Sequence, residues 1–274
     1  MLKQKNMLAL GYNRLENRTK GKFMTTSELL QKTVYGYWAS RFDCDIDFFS
    51  QKGIYIFANN KLSDKKKLVT YQIGKLTVVW ILTELAKELD CKLGFQAYNE
   101  PVSSKILSSI LGINRDFELK STLLDHFLAS PDFIPQPIPE KFALKRLDPK
   151  DDKELLSKLF NACTAEELDD ADIILDEPDP VIIGLIYKGE LAAYASHRYW
   201  GDEEIADIGV LIHPNYRGQG LGKAIVSSLC AWCIKHNVTP MYRVFDDNAI
   251  SKKIPTKLGF GELVTISTYD IKKK

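Results

Sequence analysis

Residues 215–224 read NYRGQGLGKA, which puts Gly218, Gly220 and Gly222 beside the cations Arg217 and Lys223, directly after the apolar run Ile208 to Ile212. A glycine turn that leads from a strand into a helix exposes backbone N–H groups no intrahelical carbonyl satisfies, and such groups bind anions. The glycines allow a pyrophosphate to approach the backbone without Cβ interference. The helix dipole adds partial positive charge there, and Arg217 or Lys223 can add a full one. Two familiar phosphate motifs fail on spacing. A P-loop needs four residues between its first glycine and Gly-Lys-Ser/Thr, whereas Gly218 to Gly222 leaves three, and Ala224 cannot ligate magnesium. The dinucleotide fingerprint needs a glycine where this chain has Lys223.

Arg-x-x-Gly-x-Gly does fit, as Arg217, Gly220 and Gly222, and a second passage, NAISKKIPTKLGFGE, follows downstream with Asn248, Ser251, Leu258, Gly259 and Phe260. Through VLIHPNYRGQGLGKA and this second passage, about residues 142–270 resemble the GNAT superfamily of acyl-CoA-dependent N-acyltransferases. The resemblance implies that the strand carrying Val210, Leu211 and Ile212 splays from its neighbour. Its free amides, at positions 210 and 211 above all, would hold pantetheine and stabilise the thioester oxyanion. It also implies that Arg217, Gly218, Gln219, Gly220, Leu221, Gly222 and Lys223 cradle the pyrophosphate of acetyl-CoA, with Asn248 and Ser251 on the coenzyme arm. Leu258, Gly259 and Phe260 read more simply as a helix C-terminus followed by a core aromatic.

The function so implied is transfer of an acetyl group from acetyl-CoA to a primary amine of a small molecule or peptide, by direct attack in a ternary complex. An ammonium, with a reference pKa of about 10, is not a nucleophile, so a base is required. By the resemblance that base is Asp207; Glu203 and Glu204 precede it, and His197 is expected at the end of the preceding strand. One position departs from the family pattern. Where many members carry a tyrosine that protonates the departing thiolate, this chain has Pro255, which has no proton to give and is expected to kink its helix. Ser251, water, Tyr242 or Tyr269 could serve instead, or the thiolate, with a pKa of about 8.5, could leave unprotonated. The alternative reading is a catalytically inactive acyl-CoA sensor or an interaction protein on the same fold.

The elements that must position these residues follow a regular order. FALKRL, PVIIGLIYKG, ELAAYASHRYW, EIADIGVLIHP, PMYRVF and ELVTISTYDI read as strands, with YKGE as a hairpin turn. KELLSKLFNAC and KAIVSSLCAWCIKH read as helices, the second presenting Ile225, Leu229, Trp232 and Cys233 on one face, and a short helix is expected from Asn248. Strands and helices in this order predict an α+β fold: a mixed, mostly antiparallel sheet flanked by helices over residues 142–274. AEELDDADIILDEPD carries eight carboxylates, which suits either a solvated loop or a surface facing a cationic acceptor. Tyr199 and Trp200 stand near the same cleft or cap a hairpin.

Before residue 142 the pattern differs. SPDFIPQPIPEKF packs four of the eleven prolines into nine residues, so residues 131–141 read as a linker. Residues 24–130 read as a smaller α/β domain, resembling the accessory N-terminal half of some two-domain GNAT proteins. It has a helix over about 25–42, strands in GIYIFA and KLVTYQIGKLTVVWI around an NNKLSDKKK turn, and helices over 83–90 and 101–111. Residues 1–23 are basic, contain no signal-like apolar core and read as a disordered tail. Met24 precedes Thr25 and Glu28 at capping-box spacing and is a candidate translation start.

Thirty-seven basic against 36 acidic residues leave a net charge of +1, which favours neither nucleic acid nor membrane as a partner. The five scattered cysteines fit reduced thiols and a cytoplasmic location. Cys230 and Cys233 have metal-ligand spacing but no second pair, so no metal is expected.

Overall fold

The computed structural model describes residues 26–62, 68–96, 102–174 and 177–271. Residues 1–23, Met24, Thr25 of the expected capping box and most of the NNKLSDKKK turn lie outside the described residues.

The N-terminal half opens with α1 (Thr26–Phe42), in which Val34 and Trp38, one turn apart, are buried on one face. It continues through β1 (Gly53–Asn59), β2 (Leu68–Ile73), β3 (Leu76–Leu82), α2 (Thr83–Glu88), β4 (Gly94–Gln96), α3 (Ser104–Leu111) and β5 (Phe117–Phe127). The C-terminal half consists of β6 (Ala143–Arg146), α4 (Lys153–Ala162), α5 (Ala165–Asp170), β7 (Val181–Tyr187), β8 (Glu190–Trp200), α6 (Gly201–Glu204) and β9 (Ile205–Ile212). It ends with α7 (Leu221–Lys235), β10 (Thr239–Phe245), α8 (Lys253–Leu258) and β11 (Gly261–Ile271).

The described strands form one 11-stranded sheet in the order β4-β1-β3-β2-β11-β5-β10-β9-β8-β7-β6. Only β1 with β3 and β9 with β10 pair in parallel; every other neighbouring pair is antiparallel. This is the mixed, mostly antiparallel α+β fold the sequence predicts. The sheet runs unbroken through both halves, because β5 lies between β10 and β11 and pairs antiparallel with each. The proline-rich segment is fastened to the C-terminal half. Ile134 N–H donates to Leu258 O at 2.9 Å, Gln136 N–H donates to Ser227 Oγ at 2.8 Å, and Phe133 and Ile138 pack against the core under α7.

Several expectations are corrected. The helix expected from Asn248 starts at Lys253, after a turn. Pro255 therefore lies in the first helical turn, where its missing N–H has no intrahelical partner to lose, and it neither breaks nor kinks α8. His197 lies inside β8, which runs on to Trp200. Strand β5 and the short helices α5 and α6 were not anticipated.

α7 packs on one sheet face over Ile225, Leu229 and Cys233, each 0% exposed. On the other face two separate apolar clusters form: one under α1, holding Phe127, Ile205, Met241 and Val264, and one under α4 and α5, holding Tyr194, Leu211 and Ala171. The charged side chains of the candidate site lie on the strands between them.

Candidate active site

The parallel ladder between β9 and β10 is short. It pairs Thr239 with Ile205, Pro240 with Ala206 and Met241 with Asp207, then stops, although both strands continue. β8 follows β9 to its end, Ala193 opposite Ile212. From Ile208 to Ile212, then, β9 has a ladder on one edge only, and the amides that alternate toward β10 have no strand to receive them. Val210, Leu211 and Ile212 stand on this open segment. Their side chains are not what it offers: Val210 and Ile212 pack toward α7, and Leu211 is buried on the opposite face.

The glycine turn lies immediately beyond. Gly218 (φ +75°) and Gly220 (φ +78°) both adopt left-handed backbone, and a Cβ on either would meet no atom within 4 Å, so the space over the cradle is open. Gly220 is the N-cap of α7 and brings no side-chain cap, which leaves the first-turn amides of Leu221, Gly222 and Lys223 available. Leu221 itself is buried in the core. Gly222 serves packing, since a Cβ there would sit 3.2 Å from Ile254 Cδ1 of α8. Arg217 donates through Nε to Ile212 O at 3.3 Å and pairs through Nη2 with Glu167 of α5 at 2.7 Å. Gln219 accepts from Lys141 Nζ at 2.8 Å, which adds a cation from the proline-rich segment that the sequence reading did not include.

On the face opposite α7, a strip of charged side chains crosses four adjacent strands between the two apolar clusters. Asp125 of β5 is the cross-strand partner of Arg243 of β10. Arg243 reaches diagonally to Asp207 of β9, with Nε at 2.8 Å and Nη2 at 2.5 Å from Oδ2. Asp172 lies 3.5 Å from Arg243 and 3.6 Å from Arg198 of β8. Asp179 accepts from Ser196 Oγ at 2.5 Å and from Arg198 Nη2 at 3.3 Å. Burial pushes the carboxyls of Asp207 and Asp179 up, and the neighbouring guanidiniums oppose this. At one end the strip meets an aromatic wall. Arg243 lies 4.6 Å over the Trp200 ring, and Trp200 stacks on Tyr37 of α1 with centroids 5.2 Å apart.

Residues 150–260 match the model of the acetyltransferase (GNAT) family. That span is a GNAT acetyltransferase domain by its family-model match. No curated protein matches the chain. Among solved structures, an acetyltransferase of the GNAT family from Novosphingobium aromaticivorans is similar at 22% identity over 58% of this chain and 68% of its own, with a TM-score of 0.41. An acetyltransferase of the same family from Colwellia psychrerythraea shows 16% identity over 61% and 62%, with a TM-score of 0.46. A GCN5-related N-acetyltransferase-like protein from Streptococcus suis shows 16% identity over 90% of this chain and all of its own, with a TM-score of 0.42.

The remaining predicted residues distribute around the GNAT domain as follows. Asn248 uses its side chain locally, Oδ1 accepting from Ser251 N–H at 3.0 Å, which closes the turn before α8. Ser251 in turn acts on the phenol of Tyr242, the first β10 residue past the end of the ladder with β9, and partly opposes the effect of its burial. Tyr242 faces α7, is 3% exposed, and burial raises its phenol to about 12. Tyr269 instead packs in the cluster under α2 and α3. Glu204 closes α6 at the start of β9, three residues before Asp207, roughly 10 Å along an extended chain. His197 faces α7, against Trp232 and Tyr199, and not the charged strip; burial pulls its imidazole down to about 4. Gly259 (φ +90°) is the C-cap of α8, with Leu258 and Phe260 buried beside it, as expected. Cys230 and Cys233 are packed core residues whose thiols burial pushes up. Among the described residues, no helix is long and apolar enough to cross a membrane.

Asp125, Arg243, Arg198 and Tyr37 are the residues that sequence reasoning missed. No local motif marks them, since each acquires its place through pairing between distant strands or helices.

Proposed function

We propose that the protein transfers an acetyl group from acetyl-CoA to a primary amine in a ternary complex. Residues 142–274 would carry the chemistry, residues 24–130 form an accessory domain that walls the acceptor side, and residues 131–141 link them. The observation that carries this reading is the end of the β9/β10 ladder at Asp207 and Met241, between an open glycine turn and a charged strip. Acetyl-CoA, when bound, supplies a thioester whose acyl carbon accepts the amine.

Each role follows from position. Amides of the turn from Arg217 to Lys223, with Lys141 nearby, suit a pyrophosphate, and Asn248 and Ser251 stand on the coenzyme side. The β9 amides at Val210 and Leu211 would hold the thioester oxygen as it gains charge. Asp207 lies where the strands part; it would take a proton from the ammonium so that nitrogen bonds to the acyl carbon as the carbon–sulfur bond breaks. Tyr242, protonated throughout the physiological range, would return a proton to the thiolate in place of the tyrosine that Pro255 displaces. The acidic side chains at 172 and 179 favour a cationic acceptor. The near-zero net charge and five thiols favour a cytoplasmic protein with a small-molecule or peptide partner.

Calorimetric titration of acetyl-CoA into the full chain tests the reading, beside an Arg217→Ala, Gly220→Asp double variant and thiol-release assays with a panel of amines. Binding lost in the variant, together with turnover of at least one amine, is expected. Binding without turnover would leave an acyl-CoA sensor. No binding by the parent protein would leave an interaction protein on a GNAT fold.

A further inference from the structure

Arg243 has a carboxylate on each side, one on either neighbouring strand. Asp125 on β5 is its direct cross-strand partner, while Asp207 on β9 is reached diagonally. Directly opposed side chains on one face have Cβ atoms about 4.5–5.5 Å apart, so the nearer carboxylate by register is Asp125. Yet of these two the guanidinium bonds only the diagonal one, its further contact being Asp172 at 3.5 Å: Asp125 is 0% exposed and neither of its carboxylate oxygens has a hydrogen-bond partner. A buried carboxylate with no donor is costly, and nearly all native examples are satisfied. Here a donor stands directly across the ladder, committed elsewhere.

The surroundings of Asp125 offer no substitute. α1 presents Tyr37 and β2 presents Tyr71, each within electrostatic reach of Asp125 but neither bonded to it, and Arg41 of α1 acts on those two phenols. On the far side lie Arg243 and Asp207, then Arg198 with Asp172 and Asp179. The strip thus holds four carboxylates and two guanidiniums, and with every group ionised it carries two uncompensated negative charges. Burial raises the Asp125 carboxyl to about 7, opposed by Arg243 and reinforced by Asp207, so one of those charges is neutralised by a proton near neutral pH.

We propose that Asp125 and Asp207 are alternate partners of the single Arg243 guanidinium, making Asp125 a positioning residue that sets how readily Asp207 accepts the proton of the acceptor ammonium. This rests on the acyl-transfer reading above. When Asp207 takes a proton from the ammonium, its claim on Arg243 falls, and the guanidinium turns to Asp125, which releases its own proton to bulk solvent. The nitrogen is left free to bond the acyl carbon; the overall release of one proton is that of amide formation from an ammonium and a thioester, with the other proton ending on the thiol. Protonation of Asp207 is thereby made easier than for a carboxylate tied to a guanidinium with no second partner. β5 lies outside residues 150–260, so a strand beyond the matched span would tune the proton acceptor of the GNAT domain.

The test is a titration of the aspartate side-chain carboxyl carbons by NMR in the full-length protein and in Asp125→Asn. In the parent protein, Asp125 and Asp207 should each show two linked steps, the mark of a coupled pair. In Asp125→Asn a single Asp207 step should remain, moved to lower pH by about one unit, since protonation of Asp207 can no longer be offset by ionisation of Asp125 beside the released guanidinium. With an amine acceptor identified, the same variant should lower kcat by about tenfold at neutral pH, shift the acidic limb of its pH profile downward in parallel, and leave acetyl-CoA affinity unchanged. A uniform loss of rate with no shift of the limb would indicate a merely structural role and overturn the proposal. So would independent single-step titrations in the parent protein, a result that stands even if the variant does not fold. If the parent protein neither binds acetyl-CoA nor turns over, the acyl-transfer reading fails, while the carboxyl titration still reports whether Arg243 is shared.

Discussion

Tyr242 illustrates how one residue's role depends on where a ladder ends. Its phenol lies past the last β9/β10 pair, on the α7 face, and is raised to about 12 by burial, which Ser251 partly opposes. A proton donor to a departing thiolate needs to be protonated and close, and this residue satisfies the first condition at any ordinary pH. Tyr242→Phe removes only the hydroxyl; kcat should fall by about tenfold, a small effect for a general acid because a thiolate leaves tolerably without one. Acetyl-CoA affinity measured by calorimetry should stay within about twofold of the parent value. An unchanged kcat would remove Tyr242 from the reaction. At this scale the glycine turn was readable in the sequence because its chemistry is local: spacing alone places three glycines and an arginine at a helix start. Asp125 and Arg243 were not readable, since 117 intervening positions separate two residues that a single ladder sets face to face.

Among the elements, α8 shows how a linker can be part of a domain's packing. A Cβ at Gly259 would lie 1.8 Å from the carbonyl oxygen of Asp132, and its φ is +90°, so both the proline-rich segment and the cap require glycine. Gly259→Ala should destabilise the fold by about 2 kcal/mol or more, from backbone strain together with displacement of the segment. Gly36, exposed within α1 with nothing within 4 Å of an added Cβ, provides the contrast. Gly36→Ala should stabilise by up to about 1 kcal/mol through helix propensity. Urea unfolding of both variants measures the two signs, and equal effects would refute the packing argument. The long elements were legible because apolar residues recur at helical or strand spacing. β5 was not: FELKSTLLDHF buries its first residue and its last four but leaves Glu118, Leu119 and Lys120 exposed in succession, so no alternation marks it. α5 and α6, of six and four residues, are too short for any periodicity.

For the whole molecule, the decisive feature is that the C-terminal half does not complete its own sheet. β10 and β11 are separated by β5, which pairs with β10 from Met241 to Phe245 and with β11 along nearly its full length. Without β5 both strands would present long rows of unpaired backbone groups, and the cluster holding Phe127, Met241 and Val264 would lose its centre. The same strand delivers Asp125 to Arg243, so completion of the sheet and completion of the charged strip are one event. Residues 131–274 expressed alone should therefore not give a folded monomer. They should sediment as aggregates or show poorly dispersed amide spectra, and co-expression with residues 1–130 should restore a single folded species. A soluble, monomeric and well-dispersed fragment would mean that β10 and β11 can close on each other, and that the N-terminal half is an attachment to the acetyltransferase domain. Failure of the fragment with rescue in trans would mean that the sheet, and with it the acceptor side of the site, exists only when both halves are present.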